Sequence, residues 1–247
     1  MGSEMCIRDR LKEETEFFKP FPEPESVFFG DIDRQKKMLL PLATIDLNYI
    51  NSEWNGLLPV VTPVEPGPDG GLFGEKATEF HNYLCRSNWI AYKLIDGKIE
   101  YAGDWRLFNY SEYKEYYADV HIGYQNAKGY FQEHGCVHVY YGEDSKPVRG
   151  EKVQIMAHLG GYAGDANWVH TTDFPLKRCG TWTDERGRDD EIIKPLTHDQ
   201  RTFEYIGEFS PFVFINGEGA ARSAMGCAVM VFYDDKEKIM LTTFDWT

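Results

Sequence analysis

The stretch VQIMAHLGGYAGDANWVHTTDFPLKRCG (residues 153–180) holds the densest supply of reactive side chains, with His158, Asp165, His170 and Asp173 close together. Two imidazoles and two carboxylates can ligate a divalent metal or share a proton in acid–base chemistry. Either use needs the four groups to converge, which Gly160, Gly161 and Gly164 permit if the loop folds back on itself. None of the spacings is that of an established ligand motif such as H-E-x-x-H, so no metal and no cofactor are expected and no residue is assigned as catalytic. His158, Asp165, Trp168, His170 and Asp173 are instead read as a candidate binding set. Arg222 joins them from NGEGAARSA (residues 216–224), where backbone N–H groups and a guanidinium can cradle an anion. That loop lacks the G-x-x-x-x-G-K-[ST] phosphate signature, and a glycine-rich hairpin connection also accounts for it.

Other chemistry finds less support. His134-Gly135-Cys136-Val137-His138 puts a thiol two residues from each of two imidazoles, but Gly135 is expected to end a helix there and break strand alternation. No G-x-S-x-G elbow occurs, which leaves a serine hydrolase unsupported. Cys85, Cys136, Cys179 and Cys227 form no C-x-x-C pair, so they are expected to be free, reduced thiols in a cytoplasmic setting. Six tryptophans could line a carbohydrate-binding face, although most are expected in the core.

These residues must be positioned by a strand-rich framework. Residues 38–50, MLLPLATIDLNYI, read as a buried strand, and TPVEPGPDGG (62–71) as a long loop. EKATEFHNYLCR (75–86) is expected to form a short helix. NWIAYKLI-DG-KIEYA is the clearest hairpin, with Asp96-Gly97 suited to a type I′ turn. One long helix is expected over 111–134, capped by Ser111 and ended by Gly135. Its apolar stripe comprises Tyr113, Tyr116, Tyr117, Val120, Tyr124, Ala127 and Phe131. TWTDERGRDDE (181–191) reads as an exposed loop. RTFEYIGEFSPFVFI and GCAVMVFYDDKEKIMLTTFDW read as closing strands.

A hydrophobic content of 42% with 15% aromatics belongs to a globular chain, and no apolar run is long enough to span a bilayer. The net charge of −14 repels phosphate backbones, so nucleic-acid binding is not expected, whereas a basic protein partner would be attracted. The opening MGSEMCIRDR, back-translated, matches the end of a transposase-based sequencing adapter. Residues 1–10 are therefore expected to be non-native read-through from metagenomic sequence, a reading under which a leader could have been lost.

GCVHVYYGEDSKPV (135–148) and GCAVMVFYDDKEKI (226–239) share a Gly-Cys, an apolar strand and an acidic turn. The pattern predicts an α+β, strand-rich fold built from two related β units, about 27–148 and 153–247, in a single domain over 11–247. Residues 153–247 also resemble the YwqG-like bacterial proteins of unknown function. The likeness is carried by Leu159-Gly160-Gly161, Trp168-Val169, Asp173, Pro175, Cys179-Gly180 and a terminal Phe244-x-Trp246, with His170 standing where relatives commonly carry glutamine. The resemblance implies an α+β fold with duplicated β units and, from relatives among toxin–immunity genes, a protein-binding role. The leading expectation is thus a non-enzymatic, immunity-type or regulatory binding module. The alternatives are a hydrolase using the His/Asp cluster around 158–173 and a carbohydrate-binding β module.

Overall fold

The computed structural model describes residues 10–65, 71–140, 147–171, 173–183, 187–209, 213–214, 220–222 and 227–246. Residues 1–9 of the adapter-like segment and most of the 216–224 loop fall outside that set. The fold is α+β and dominated by strands, as the sequence predicts, and the described strands form four sheets.

The largest sheet is antiparallel throughout and sets the position of the functional groups. Across it run β5 (Lys98–Tyr101), β4 (Trp89–Ile95), β15 (Ile239–Trp246), β14 (Cys227–Asp234), β11 (Glu204–Phe209) and β8 (Met156–Leu159). The β4–β5 hairpin turns at Asp96 (φ 50°) and Gly97 (φ 74°), the two positive angles a type I′ turn requires. A second sheet joins β1 (Phe18–Pro20), β2 (Leu39–Asp46) and β3 (Leu57–Pro63). Pro41 has no N–H for the ladder, and the β2–β3 register slips between Pro41 and Ala43. Short helices α1 (Pro24–Val27), α2 (Ile32–Met38) and α3 (Leu47–Ile50) flank this sheet.

The long helix, α4 (Lys114–His134), ends at Gly135 in the left-handed conformation (φ 70°), but it starts later than the sequence suggests. Glu112 and Tyr113 both donate to the Asn109 carbonyl, so the chain turns once before the helix and Ser111 does not cap it. Of the stripe, Tyr117, Tyr124, Ala127 and Phe131 are buried, and the Tyr124 hydroxyl donates to the Pro41 carbonyl at 2.8 Å. Lys128 is buried on the same helix because its ammonium reaches Glu23 at 2.6 Å.

Three further expectations are corrected. Residues 75–86 hold only a 3₁₀ turn at Thr78–Phe80, because the Asn82 side chain accepts from Leu84 N (2.9 Å) and Cys85 N (2.7 Å) and holds a turn instead. The charged run 181–191 is no plain loop: β9 (Leu176–Thr183) and β10 (Asp189–Pro195) form a two-stranded ribbon reaching into it from both sides.

The two stretches matched in sequence also lie in different sheets. β6 (His138–Tyr140) pairs with β7 (Pro147–Lys152) and, in parallel, with β13 (Ala220–Arg222), which continues to β12 (Val213–Phe214). β14, which follows Gly226, is central in the six-stranded sheet between β11 and β15. The shared pattern therefore marks two apolar strands after a glycine, with different neighbours. One contiguous apolar core nevertheless runs from Leu11 to Phe244 and takes in the rings of α4. No helix is long and apolar enough to cross a membrane among the described residues.

Candidate functional site

Strand register places a row of side chains across one face of the six-stranded sheet. His158 on β8 stands opposite Glu208 on β11, Glu208 opposite Met230 on β14, and Met230 opposite Thr243 on β15. Asp245 follows two residues along β15, which returns its side chain to the same face. The β11 backbone can lie this close to β8 because residue 207 is glycine; a Cβ there would stand 2.4 Å from the His158 carbonyl.

Over this floor the chain builds a roof. Gly160 (φ 70°) and Gly161 (φ 84°) reverse the chain at the end of β8, and residues 162–166 cross to α5 (Asn167–His170). Trp168 fastens roof to floor. It is 1% exposed, its backbone N–H donates to Asp245 Oδ1 at 3.0 Å, and its indole N–H donates to the Gly164 carbonyl at 3.1 Å. Its ring packs against Trp89 (6.0 Å between centroids) and Phe232 (5.5 Å). The β9–β10 ribbon supplies a side wall through Trp182 and Asp190. Asp190 fits only because Gly164 has no side chain: a Cβ there would sit 2.1 Å from Asp190 Oδ2.

Between floor, roof and wall lies a cavity of about 210 Å³ whose carboxylates are Asp165, Asp190, Glu208 and Asp245. Burial, with the nearby charge of Asp245 adding to it, pushes Glu208 up to about 7. Asp245 is also raised by burial, while N–H groups of Trp168 and Asn167 act the other way by favouring its ionised form. Two carboxyls in one desolvated space resist simultaneous ionisation, which leaves one as a proton donor near neutrality.

The sequence-predicted residues divide. His158, Asp165 and Trp168 line the cavity. His170 does not line it but reaches back, Nε2 to Asp165 Oδ1 at 2.7 Å, with its own side chain 65% exposed. Arg178 approaches the other Asp165 oxygen at 3.9 Å and also pairs with Glu191. Asp173 stays apart: it is 93% exposed and lies 3.8 Å from Arg86. Arg222 belongs to β13, in a sheet separate from the cavity floor. Glu208, Asp245 and Asp190 are absent from the sequence-derived set. The one sequence signal for the first two is an acid with uncharged neighbours within a strand, in Gly207-Glu208-Phe209 and in Phe244-Asp245-Trp246.

Elsewhere, Cys136 is buried with Sγ 4.0 Å from His138 Nε2, and the other ring nitrogen of His138 shares a 2.8 Å hydrogen bond with Tyr130. His134 instead packs its ring against Tyr130, because the Gly135 cap turns the chain between the two imidazoles. Trp54, Trp89 and Trp168 are buried and Trp105 and Trp182 half-buried, so these rings form no flat exposed row. Among the described residues no group of three or more His, Cys, Asp or Glu side chains is placed to hold a metal ion. Compared with family models, with curated proteins and with solved structures, the chain finds no match.

Proposed function

We propose that the chain is a hydrolase of small molecules whose acid–base pair is Glu208 and Asp245, with His158 and Trp168 shaping the cavity around them. The observation that supports this reading is the placement of Glu208 on the floor of the cavity that Asp245 also lines, where burial holds it near the pH at which a general acid works best. In this reading protonated Glu208 donates to the leaving group as its bond to the reacting centre breaks. Ionised Asp245, held by backbone N–H groups at the start of α5, takes a proton from the attacking water. The sequence-derived hydrolase alternative is thereby kept in class and moved in residues, from the 158–173 cluster onto two strands. The YwqG-like kinship of residues 153–247 belongs to the proposal too, since those residues supply the floor, roof and wall. Cytoplasmic placement is supported by the free thiols of Cys85, Cys136 and Cys179.

Screening chromogenic esters, amides and glycosides small enough for the cavity tests this. Turnover should follow a bell-shaped pH profile with one limb near 7 and fall at least 100-fold in Glu208→Gln. Equal turnover by wild type and Glu208→Gln would remove Glu208 from the mechanism.

A second reading, an immunity-type module for a basic protein, draws support from the net charge of −14. Capture of a basic partner should weaken steeply as salt is raised, and binding indifferent to salt would remove this support.

A further inference from the structure

The cavity's lining combines four carboxyl groups with side chains that can donate, those of His158, Tyr162, Trp182 and Tyr205. Asp165, Asp190, Glu208 and Asp245 are acceptor-only when ionised, and no lysine, arginine, asparagine or glutamine lines the cavity among the described residues. Asp165 at the rim has His170 and Arg178 for company. Among the described residues no lysine or arginine is paired with Asp190, Glu208 or Asp245. The indole N–H of Trp168 is already committed to the Gly164 carbonyl.

We infer that this cavity takes a small organic cation, an ammonium or guanidinium on a short apolar body. The inference rests on the reading of the same cavity as the functional site and names its ligand class. Three physical arguments support it. Partly desolvated carboxylates without a resident cation are stabilised by a ligand that brings one, since opposite charges attract far more strongly out of bulk water. Tyr162, Trp168, Trp182 and Tyr205 supply aromatic surface in the same space, and ring faces attract cations as well as apolar groups. The whole-chain charge of −14 steers a cation inward and an anion away.

Competing ligand classes fit less well. A neutral sugar can hydrogen-bond to this lining but brings no charge to offset its carboxylates. Four carboxylates repel an anion. A cavity of about 210 Å³ is too small to take in a folded partner or a long polymer. Ionisation of Glu208 adds a negative charge to the lining, so cation affinity should rise as pH passes through the range where Glu208 ionises.

Isothermal titration calorimetry with cyclohexylammonium, cyclohexanol and cyclohexanecarboxylate keeps ring size fixed while charge changes, and agmatine adds a guanidinium. At pH 8 and low salt the cations should bind at least tenfold more tightly than the alcohol, and more tightly than at pH 5.5. Asp190→Asn and Glu208→Gln should each weaken cation binding at least tenfold; two variants are used so that one misfolded protein does not decide the matter. The inference is overturned if the alcohol or the carboxylate binds as well as the cations, if none of the four binds, or if both variants bind the cations like wild type. A carbon-13 titration of the Glu208 carboxyl in the same protein separates this from the underlying reading. A value near 7 without cation preference sinks only the ligand class, and an ordinary value sinks the acid–base pair.

Discussion

Two glutamates are withdrawn from water in this molecule, and their surroundings differ in kind. Glu65, just after β3, is 4% exposed and accepts from the Tyr117 hydroxyl (2.6 Å), the Asn109 N–H (2.5 Å) and the Asn109 side-chain amide (3.3 Å). Glu208 faces the cavity, and among the described residues no side chain donates to its carboxyl; its named influences are burial and the charge of Asp245. Burial raises the proton affinity of both. Only Glu65 has donors that offset the penalty, and those donors tie the start of α4 to the end of β3. A satisfied buried acid is a structural joint, whereas an unsatisfied one facing a cavity is stored free energy available to a ligand or a proton.

The sharpest way to break that contrast is to remove the charge at each site. Glu208→Gln should stabilise the fold by about 3 kcal/mol at pH 8, the rise from 4.5 to about 7 converted at ~1.4 kcal/mol per pH unit. The sign follows from proton counting. Below pH 4.5 folded and unfolded chains both hold the Glu208 proton. Between 4.5 and 7 the unfolded chain releases it first, so stability falls with rising pH in that window. The gain in the variant should therefore nearly vanish at pH 4.5, as measured by urea unfolding at the two pH values.

Glu65→Gln should do the opposite, destabilising by about 2 kcal/mol at pH 7, because an amide presents a donor where only acceptors fit and leaves the Tyr117 or Asn109 group poorly paired. Urea midpoints of the two variants moving in the same direction at pH 8 would erase the distinction. A smaller reference change calibrates both: Gly135→Ala meets nothing within 4 Å, so its loss should reflect the positive φ alone, about 1 kcal/mol by thermal unfolding.

How far the sequence reveals these features depends on range. The Asp96-Gly97 turn, the Gly135 cap and the tyrosine stripe of α4 are legible because a few adjacent residues encode each. His158, Asp165 and Trp168 are legible as a local cluster for the same reason. Glu208 and Asp245 come to line one cavity only through the register of β11, β14 and β15, which no short window contains. The ribbon of β9 and β10 is hidden for a different reason. β9 is exposed over residues 177–181 and β10 buries only Ile193 and Pro195, so the regular alternation that marks a half-buried strand is missing. The Gly-Cys strand pattern misleads in the other direction, since two apolar strands can read alike and still join different sheets.

The central claim is that Glu208 holds its proton near neutrality because it shares a desolvated cavity with Asp245. Carbon-13 NMR of the Glu208 side-chain carboxyl across pH tests it directly, with Asp245→Asn run alongside. The account predicts a midpoint near 7 in the wild-type chain and a lower midpoint in the variant. A midpoint at the ordinary 4.5 in both proteins would contradict it.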